Sequence, residues 1–287
     1  VVTLTIGTSV ASMGQSAFKE CGFTHINYNA ANCAGYNQYE GVQPFQGMNA
    51  TLNIGYTVQT IPTLMFSECP DLHGTLSIPS SVTSIDYGAF YECTGFTGSL
   101  YIPNSVTSIG GNAFYHCTGF TGTLTLPNSL TTIEDYTFRN CENFTGTLTI
   151  PASVTAIGKE AFQGCKHFTG NLTIPNSVTT IGSQAFFHCD GLTGNLTIGH
   201  SVTSIGYNAF RDCAGLTHLN FNAINCADFE NEYAAFPPFQ NFTGTLSFGD
   251  QVQRIPGYMF YNCNGFTGSL VIPSSVTMIG NYAFDYC

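Results

Sequence analysis

The chain repeats itself every 24 residues over most of its 287-residue length. The unit from Leu76 to Ser99 reads LSIPSSVTSIDYGAFYECTGFTGS, and the unit that begins at Leu100 reads LYIPNSVTSIGGNAFYHCTGFTGT. The same 24-residue interval separates most of the cysteines: Cys69, Cys93, Cys117, Cys141, Cys165, Cys189 and Cys213, and then Cys263 and Cys287. A fixed period of about 20–50 residues is typical of a solenoid, in which each unit contacts only its neighbours.

Each unit has three parts that together predict one rung of a β-dominated solenoid. The first part alternates apolar and Thr residues, as in residues 124–126, which predicts a short strand with its leucines inward. The second part, Ser-Val-Thr-x-Ile, predicts another short strand, and the third, Ala-Phe-x-x-Cys, predicts one helical turn over the core. Twelve rungs are expected, marked by Leu4, Ile26, Leu52, Leu76, Leu100, Leu124, Leu148, Leu172, Leu196, Leu219, Leu246 and Leu270.

Two rungs depart from this pattern in the same way, at about residues 24–50 and 217–244. Both contain an Asn-Ala-x-Asn-Cys segment that ends at Cys33 or Cys226, and both run on to Pro-Phe-Gln. Between these segments lie polar inserts at 34–42 and 227–236. Both rungs lack the Ala-Phe-x-x-Cys segment. Because the same segments recur in the same order, the variant is a distinct type of rung and not a regular repeat that has lost its pattern.

The repeat Leu-Thr-Ile-Pro-Asn-Ser-Val-Thr-x-Ile-Gly-x-x-Ala-Phe-x-x-Cys resembles the BspA-like, Treponema-type leucine-rich repeats of surface proteins. The resemblance covers nearly the whole chain. It implies a single leucine-rich-repeat solenoid domain over residues 1–287, a horseshoe with a parallel sheet on one face. It also implies a secreted or cell-surface location and, for some members, binding to host proteins or other microbes. No catalytic residues or cofactors come with it.

The charge balance excludes several classes of partner. Six basic residues stand against 17 acidic ones, for a net charge of −11. Nucleic acid and anionic membrane surfaces both require a basic face, so neither is expected as a partner. Apolar residues never form a run long enough to span a bilayer.

The twelve cysteines favour a column of buried thiols over disulfides or a metal site. Neighbouring repeat cysteines are expected about 4.8 Å apart. Their Cβ vectors would run parallel, however, whereas a disulfide brings its Cβ atoms to about 3.8 Å. A zinc site needs four ligands in a tetrahedral arrangement, whereas one Cys per rung places the thiols in a single row. Cys33 and Cys226 stand outside the column and are expected to be the most reactive or bridged.

No arrangement of residues in the sequence predicts catalysis. The seven histidines are scattered over distant rungs, and no nucleophile elbow, phosphate loop or metal-binding motif occurs. The chain is therefore predicted not to be an enzyme.

The outward face of the strands is the expected binding surface, because it offers a broad, uncharged array of Thr. Strand propensity alone also explains Thr at these positions. A regular Thr array further resembles ice-binding solenoids, although an ice-binding face must be flat. The predicted contact residues are Thr123, Thr125, Thr147, Thr149, Thr173 and Thr197 on the strands, and Tyr36, Tyr39, Phe229 and Tyr233 in the two inserts.

Five Asn-x-Ser/Thr sequons are candidate glycosylation sites if the source has a eukaryotic secretory pathway. A glycan at the third or fourth of them would cover the strand face. They are Asn49, Asn143, Asn171, Asn195 and Asn241.

These observations predict a non-catalytic adhesion module that contacts an extracellular protein or glycan over the strand face and the two inserts. The alternative is a structural protomer that stacks head to tail into a filament or surface layer. Val1 and Cys287 lie almost a whole number of units apart, with no capping unit at either end. This predicts a fragment of a longer chain, or a protomer whose ends meet other chains.

Overall fold

A computed structural model of the protein describes residues 1–37, 43–229 and 236–287. The chain divides into two compact units, Val1–Thr145 (unit 1) and Gly146–Cys287 (unit 2). Each unit is a parallel-sheet β-solenoid, which confirms the predicted fold class. The described residues make about eleven turns, against the twelve rungs expected. A single domain over residues 1–287 stays a prediction.

Unit 1 stacks its first and second strands into separate parallel sheets. Its strands are β1 (Thr3–Ile6), β2 (His25–Tyr28), β3 (Ala50–Ile54), β4 (Thr60–Ile61), β5 (Leu72–His73), β6 (Ser84–Ile85), β7 (Leu100–Tyr101), β8 (Ser108–Ile109), β9 (Leu124–Thr125) and β10 (Thr132–Ile133). The first-strand order is β1-β2-β3-β5, with a separate β7-β9 pair, and the second strands pair as β4-β6-β8. Leu4, Ile26 and Leu52 lie in register across β1, β2 and β3, so each rung places its marker residue over the previous one.

Unit 2 follows the same plan. Its strands are β11 (Ala156–Ile157), β12 (Leu172–Thr173), β13 (Thr180–Ile181), β14 (Gly194–Ile198), β15 (Ser204–Ile205), β16 (Leu216–Phe221), β17 (Thr243–Phe248), β18 (Arg254–Ile255), β19 (Gly265–Phe266) and β20 (Met278–Ile279). The first strands form the sheet β12-β14-β16-β17-β19, and β11, β13 and β15 pair in that order as second strands. Strands are absent around three of the expected markers, Leu76, Leu148 and Leu270.

Stacked phenylalanines fill the interior of both units. In unit 1, Phe66, Phe90, Phe114 and Phe138 form a ladder with ring centroids 5.4–5.5 Å apart. The corresponding ladder of unit 2 runs through Phe162, Phe186, Phe210, Phe239, Phe260 and Phe284. Each buried aromatic ring removes a large apolar area from water, so these ladders are a main source of stability.

The predicted helical turn at Ala-Phe-x-x-Cys is wrong, since no described residue is helical. The segment instead forms three overlapping β-turns, closed by bonds from Ala89 N to Asp86 O, from Tyr91 N to Gly88 O and from Cys93 N to Phe90 O. The third residue of the first and of the last turn is left-handed, with φ of 59° at Gly88 and 57° at Glu92. The alternate amides, such as Phe90 N, donate to carbonyls of the next rung and so cannot form the i→i−4 bonds of a helix.

The two variant rungs keep the phenylalanine ladder by a different segment. Phe45 and Phe239, from the Pro-Phe-Gln segments, stack between the ladder residues of the flanking rungs. Phe210 N donates to Pro238 O at 2.8 Å, as Phe66 N donates to Ala89 O in a regular rung. The proline therefore stands where regular rungs have alanine, and the rung's interior is preserved.

Candidate binding face

In each unit, the side chains on either side of the marker residues face outward, including those at markers where no strand forms; this surface is here called the first-strand face. Thr123 and Thr125 of unit 1 are exposed on it, as are Thr147, Thr149 and Thr173 of unit 2. Thr197, the sixth predicted contact threonine, is half-buried in unit 2. Alternation along a strand explains this exposure, because the flanking leucines take the interior side.

Hydroxyl groups on the first-strand face are largely unused by the fold. Within the described ranges, the hydroxyls of Thr125, Thr147, Thr149 and Thr173 make no hydrogen bond to the protein. Thr123 bonds only to a neighbour on the same face, from its Oγ1 to Ser99 Oγ at 3.3 Å. These groups are available to an external partner without any loss of internal bonds.

The threonines that directly precede the second strands bond differently, although they occupy an equally regular place in the repeat. Thr83 Oγ1 donates to Gln59 O at 3.2 Å, and Thr179 Oγ1 donates to Thr155 O at 3.1 Å. Thr203 Oγ1 repeats the contact with Thr179 O at 3.1 Å. These hydroxyls join each rung to the one before it and are therefore part of the fold.

A network of polar side chains occupies the first-strand face of the variant rung in unit 2. The ring of His218 lies between Asn220 Oδ1, 2.8 Å from Nε2, and Thr245 Oγ1, which contacts Nδ1. Ser247 Oγ donates to Asn220 Oδ1 at 2.8 Å, and Asn220 Nδ2 reaches Thr197 Oγ1 at 3.5 Å. These groups share two adjacent rows because His218 pairs with Thr245, and Asn220 with Ser247. The sequence reasoning missed this network, although the histidine and asparagine two residues apart were a usable signal.

The equivalent rung of unit 1 carries a looser version of this arrangement. Asn27 Nδ2 contacts Thr5 Oγ1 at 3.5 Å and its Oδ1 accepts from Asn53 Nδ2 at 3.2 Å. His25 Nδ1 lies 2.9 Å from Thr24 Oγ1 and stays exposed. The two variant rungs thus present the same residue types with different internal bonding.

Two of the aromatic residues expected to contact a partner are buried. Tyr36 and Phe229 are each 7% exposed, and the Tyr36 hydroxyl donates to Met13 O at 2.7 Å. Their backbone amides donate to the following rung, Tyr36 N to Thr63 O and Phe229 N to Gly257 O. Both residues therefore fix the base of the insert and are poor candidates for direct contact. The other two, Tyr39 and Tyr233, lie outside the described residues.

The base of the second insert also carries an ion pair. Asp228 Oδ2 accepts from Arg254 Nη2, and Asp228 Oδ1 accepts from Gly257 N at 2.6 Å. The Arg254 guanidinium and the Gly257 amide both favour the carboxylate, so they lower the pKa of Asp228 below its ordinary value. These contacts tie the insert to the next rung.

The five sequons differ in how free their side-chain amides are. Asn49, Asn171 and Asn195 are exposed, and Asn171 Oδ1 accepts from Asn195 N at 2.9 Å. Asn143 Nδ2 donates to Thr118 O at 2.8 Å, and Asn241 Nδ2 donates to Asp212 Oδ1 at 2.7 Å. Glycosylation at either of the latter two would replace one of the two Nδ2 hydrogens, which leaves a single N–H to serve these bonds.

The repeat cysteines form the expected column of buried thiols, and all twelve cysteines are free. Cys93 Sγ donates to Phe66 O at 2.8 Å, and Cys117 Sγ donates to Phe90 O at 3.1 Å. Burial raises the pKa of Cys141 to about 12. A thiol in this state is a weak nucleophile, so the column is structural.

Cys33 and Cys226 do not have the properties expected of reactive thiols. Both are buried, at 9% and 0% exposure. Burial raises the pKa of Cys33 and raises that of Cys226 to about 12. Neither is bridged. Cys287 is the exposed cysteine, and Cys21 is half-buried.

Metal-binding groups and membrane spans were sought over the part of the chain that the structure describes. There, no three His, Cys, Asp or Glu side chains come together in a way that would hold a metal ion. No helix in the described ranges has the length and apolar character needed to cross a membrane.

Sequence comparison assigns the chain to a family of repeat proteins. A family model for the BspA type leucine rich repeat region matches residues 1–97, 43–169, 94–217 and 169–287, and so covers the whole chain. The protein belongs to the BspA-type leucine-rich repeat family, and the resemblance read from the repeat is confirmed. Among curated proteins, none matches this chain.

Comparison with solved structures finds the same fold in a bacterial leucine-rich repeat protein. A leucine-rich repeat protein from Bacteroides ovatus is 21% identical, with a TM-score of 0.61; the match covers 100% of this chain and 85% of that one. A leucine rich cell surface protein from Faecalibacterium prausnitzii is 24% identical with a TM-score of 0.49, and the coverage is 100% and 86%. At these identities the likeness concerns the fold alone.

Proposed function

We propose that this protein is a non-catalytic binding module, secreted or held at a cell surface, that contacts an extracellular partner over its first-strand face. One observation carries the proposal: exposed hydroxyls of this face, such as those of Thr125 and Thr149, make no hydrogen bond to the protein within the described ranges. The hydroxyls that directly precede the second strands, by contrast, bond to the fold. The surface location and the adhesive role are supported by what the BspA-type repeat implies.

A pair of matched substitutions tests which surface is used. Thr149→Lys with Thr173→Lys places two long cations on the first-strand face of unit 2, and Thr179→Lys with Thr203→Lys does so directly before the second strands. Binding is measured by surface plasmon resonance against purified extracellular-matrix proteins, plasma proteins and polysaccharides. The first pair should abolish binding and the second should leave it within about threefold, because only the first blocks the contact area. Equal effects from both pairs would contradict the proposal.

The two inserts are proposed to supply specificity, because the regular rungs offer nearly the same surface everywhere. Replacing residues 38–42 and 230–235 with Gly-Ser linkers keeps the anchors Tyr36 and Phe229 in place. The expected result is an unfolding midpoint close to that of the wild type, with loss of binding to the preferred partner. Unchanged binding would leave the strand face alone as the site.

A structural role is the second candidate, in which copies stack head to tail into a filament or layer. The contact edge proposed for this assembly contains Val271, Ile272 and Ile279. Stacking a rung of a second copy on this edge would bury these side chains. Sedimentation velocity from micromolar to millimolar concentration should then show growing assemblies, and Ile279→Lys should prevent them. A single species over that range would exclude this role.

A further inference from the structure

Tyr101 is the only Phe, Tyr or Trp on the first-strand face of unit 1 among the described residues, at the position that Thr125 fills one rung later. Its side chain is 57% exposed although it lies within strand β7. Burial in the core therefore does not explain it. Nearby residues do not pair with it, since Tyr101 makes no side-chain hydrogen bond or ring contact within the described ranges. An exposed ring held on a rigid sheet presents a flat apolar surface to solvent.

Hydroxyl groups surround this ring on the same face. Thr125 lies directly opposite Tyr101 in the β7-β9 pair, and Ser77 holds the same repeat position one rung earlier. Adjacent strands are about 4.8 Å apart. Ser99 Oγ accepts from Thr123 N at 3.0 Å and from Thr123 Oγ1 at 3.3 Å, which leaves its own hydrogen free to donate outward. The ring is thus bordered by exposed donors and acceptors.

The face around Tyr101 is also without charge. None of the first-strand positions beside a marker residue holds Asp, Glu, Lys or Arg, in a chain that has 17 acidic and six basic residues. A net charge of −11 repels anionic ligands, and the face has no cation to attract them. The chemistry complementary to this surface is therefore uncharged.

From these features we infer that the first-strand face around Tyr101 binds a neutral glycan, with a sugar ring stacked on the Tyr101 ring and its hydroxyls bonded to Ser77, Ser99 and Thr125. A sugar combines an apolar C–H face with many hydroxyls, which matches one ring bordered by hydroxyl groups. A protein interface, in contrast, needs about 800 Å² per partner with an apolar centre. Among its described residues, this face offers Tyr101 as its only Phe, Tyr or Trp side chain. The inference rests on the proposed binding function and names the ligand class of that same face.

Affinity electrophoresis of the full chain tests this inference, with soluble β-glucan, mannan and galactan as neutral probes and polygalacturonate as the acidic one. At least one neutral polysaccharide should retard the wild type, and polygalacturonate should not. Tyr101→Thr should weaken retardation at least about tenfold through loss of the ring, and Tyr101→Phe should retain most of it. Tyr101→Thr restores the residue found at position 125, so it is compatible with the fold.

Two controls test separate parts of the inference, one the location of the site and the other the absence of charge in the contact. Tyr56→Thr removes another tyrosine, 83% exposed, and should leave retardation unchanged. The affinity should be the same at low and high salt, because no charge takes part. Retardation by polygalacturonate alone, a Tyr101→Thr variant that binds like the wild type, or no retardation by any neutral probe would each overturn the inference. If a protein probe binds the Thr149/Thr173 surface in that last case, the proposed function stands while the glycan assignment fails.

Discussion

Both variant rungs attach their inserts to the next rung through a backbone hydrogen bond, from Tyr36 N to Thr63 O in unit 1 and from Phe229 N to Gly257 O in unit 2. The residue beside this bond that carries a side chain belongs to the next rung in unit 1 and to the insert in unit 2. In unit 1, Gly35 lies against Thr63, whereas in unit 2 the corresponding pair is Asp228 against Gly257. A Cβ on Gly35 would lie 2.7 Å from both the N and O atoms of Thr63. One member of each pair is glycine, but only Gly35 meets the backbone of the other residue; a Cβ on Gly257 would lie 3.2 Å from the Asp228 carboxylate instead. Unit 2 uses the freed space for a carboxylate that unit 1 does not have.

The two variant rungs have the same kind of interior, a phenylalanine in the stacked ladder. Removing that phenylalanine should destabilise the protein by a similar amount in either rung, and by more than any other change proposed here. Phe45→Ala and Phe239→Ala each remove a fully buried ladder ring, and we expect a loss of about 3–5 kcal/mol in the free energy of unfolding. Phe239 also meets Phe221 edge-on with centroids 6.5 Å apart, so its loss should be at least as large. Urea unfolding measures both.

Phe→Leu at the same two positions is the control, because it keeps most of the volume and should cost less than the alanine change. A loss below about 1 kcal/mol at either phenylalanine would mean that the Pro-Phe-Gln segment does not hold the ladder together.

Replacing the glycine of each pair with alanine should destabilise the protein less than loss of a ladder phenylalanine, and more at Gly35 than at Gly257. Gly35→Ala should cost about 1–3 kcal/mol, since the new methyl group displaces the Thr63 backbone and weakens its bond to Tyr36 N. Gly257→Ala should cost less, because its nearest contact is 3.0 Å from Asn281 O. Gly22→Ala, where nothing lies within 4 Å, is the matched control for the glycine change itself. Thermal unfolding ranks the three variants, and equal midpoints would contradict the close approach at Gly35.

The parallel stacking and the equivalence of the two variant rungs could be predicted from the sequence, whereas the role of Phe45 could not. The 24-residue period fixed the parallel stacking and the inward leucines, because any other register would expose the apolar residues. The recurrence of Asn-Ala-x-Asn-Cys correctly marked two equivalent rungs. The role of Phe45 was missed because the insert changes the spacing by which it would have been aligned with the ladder.

The left-handed turns and the burial of Tyr36 could not be predicted from residue propensity or from the repeat pattern. The left-handed turn residues are mostly not glycine; Glu92 and His116, for example, have φ of 57° and 55°. The bonds between rungs impose this geometry against local preference, so propensity suggested a helical turn instead. The burial of Tyr36 likewise depends on a contact with Met13, a rung away, that composition does not reveal.

The ion pair of unit 2 predicts a pH dependence at Asp228 that has no counterpart at Gly35, the equivalent position of unit 1. Because the folded-state pKa of Asp228 is lowered, its contribution is present above the ordinary value of 3.8 and is lost as the pH falls through the folded pKa. Asp228→Asn should cost up to about 1 kcal/mol near neutral pH, a small value because the carboxylate is 48% exposed. The difference from the wild type should vanish in strong acid.

Urea midpoints of the two proteins over a range of pH measure this dependence. Asp250→Asn, at another exposed acid, controls for the general loss of negative charge. A wild-type advantage that persists below the folded pKa would show that the Asp228 contacts act through geometry and not through charge.

The smallest effect concerns the aromatic residue on the interior side of the two variant strands, Tyr28 in unit 1 and Phe221 in unit 2. Both are fully buried, and the Tyr28 hydroxyl, which lies near the weakly polar Cys33 thiol, makes no hydrogen bond within the described residues. Tyr28→Phe should therefore leave the stability unchanged or raise it by up to about 1 kcal/mol, because a poorly bonded hydroxyl returns to water only on unfolding. Tyr36→Phe, which loses the bond to Met13 O, should instead destabilise by about 1 kcal/mol. If urea unfolding shows Tyr28→Phe to be the more damaging change, the hydroxyl bonds well to the thiol, and the two variant rungs have different interiors.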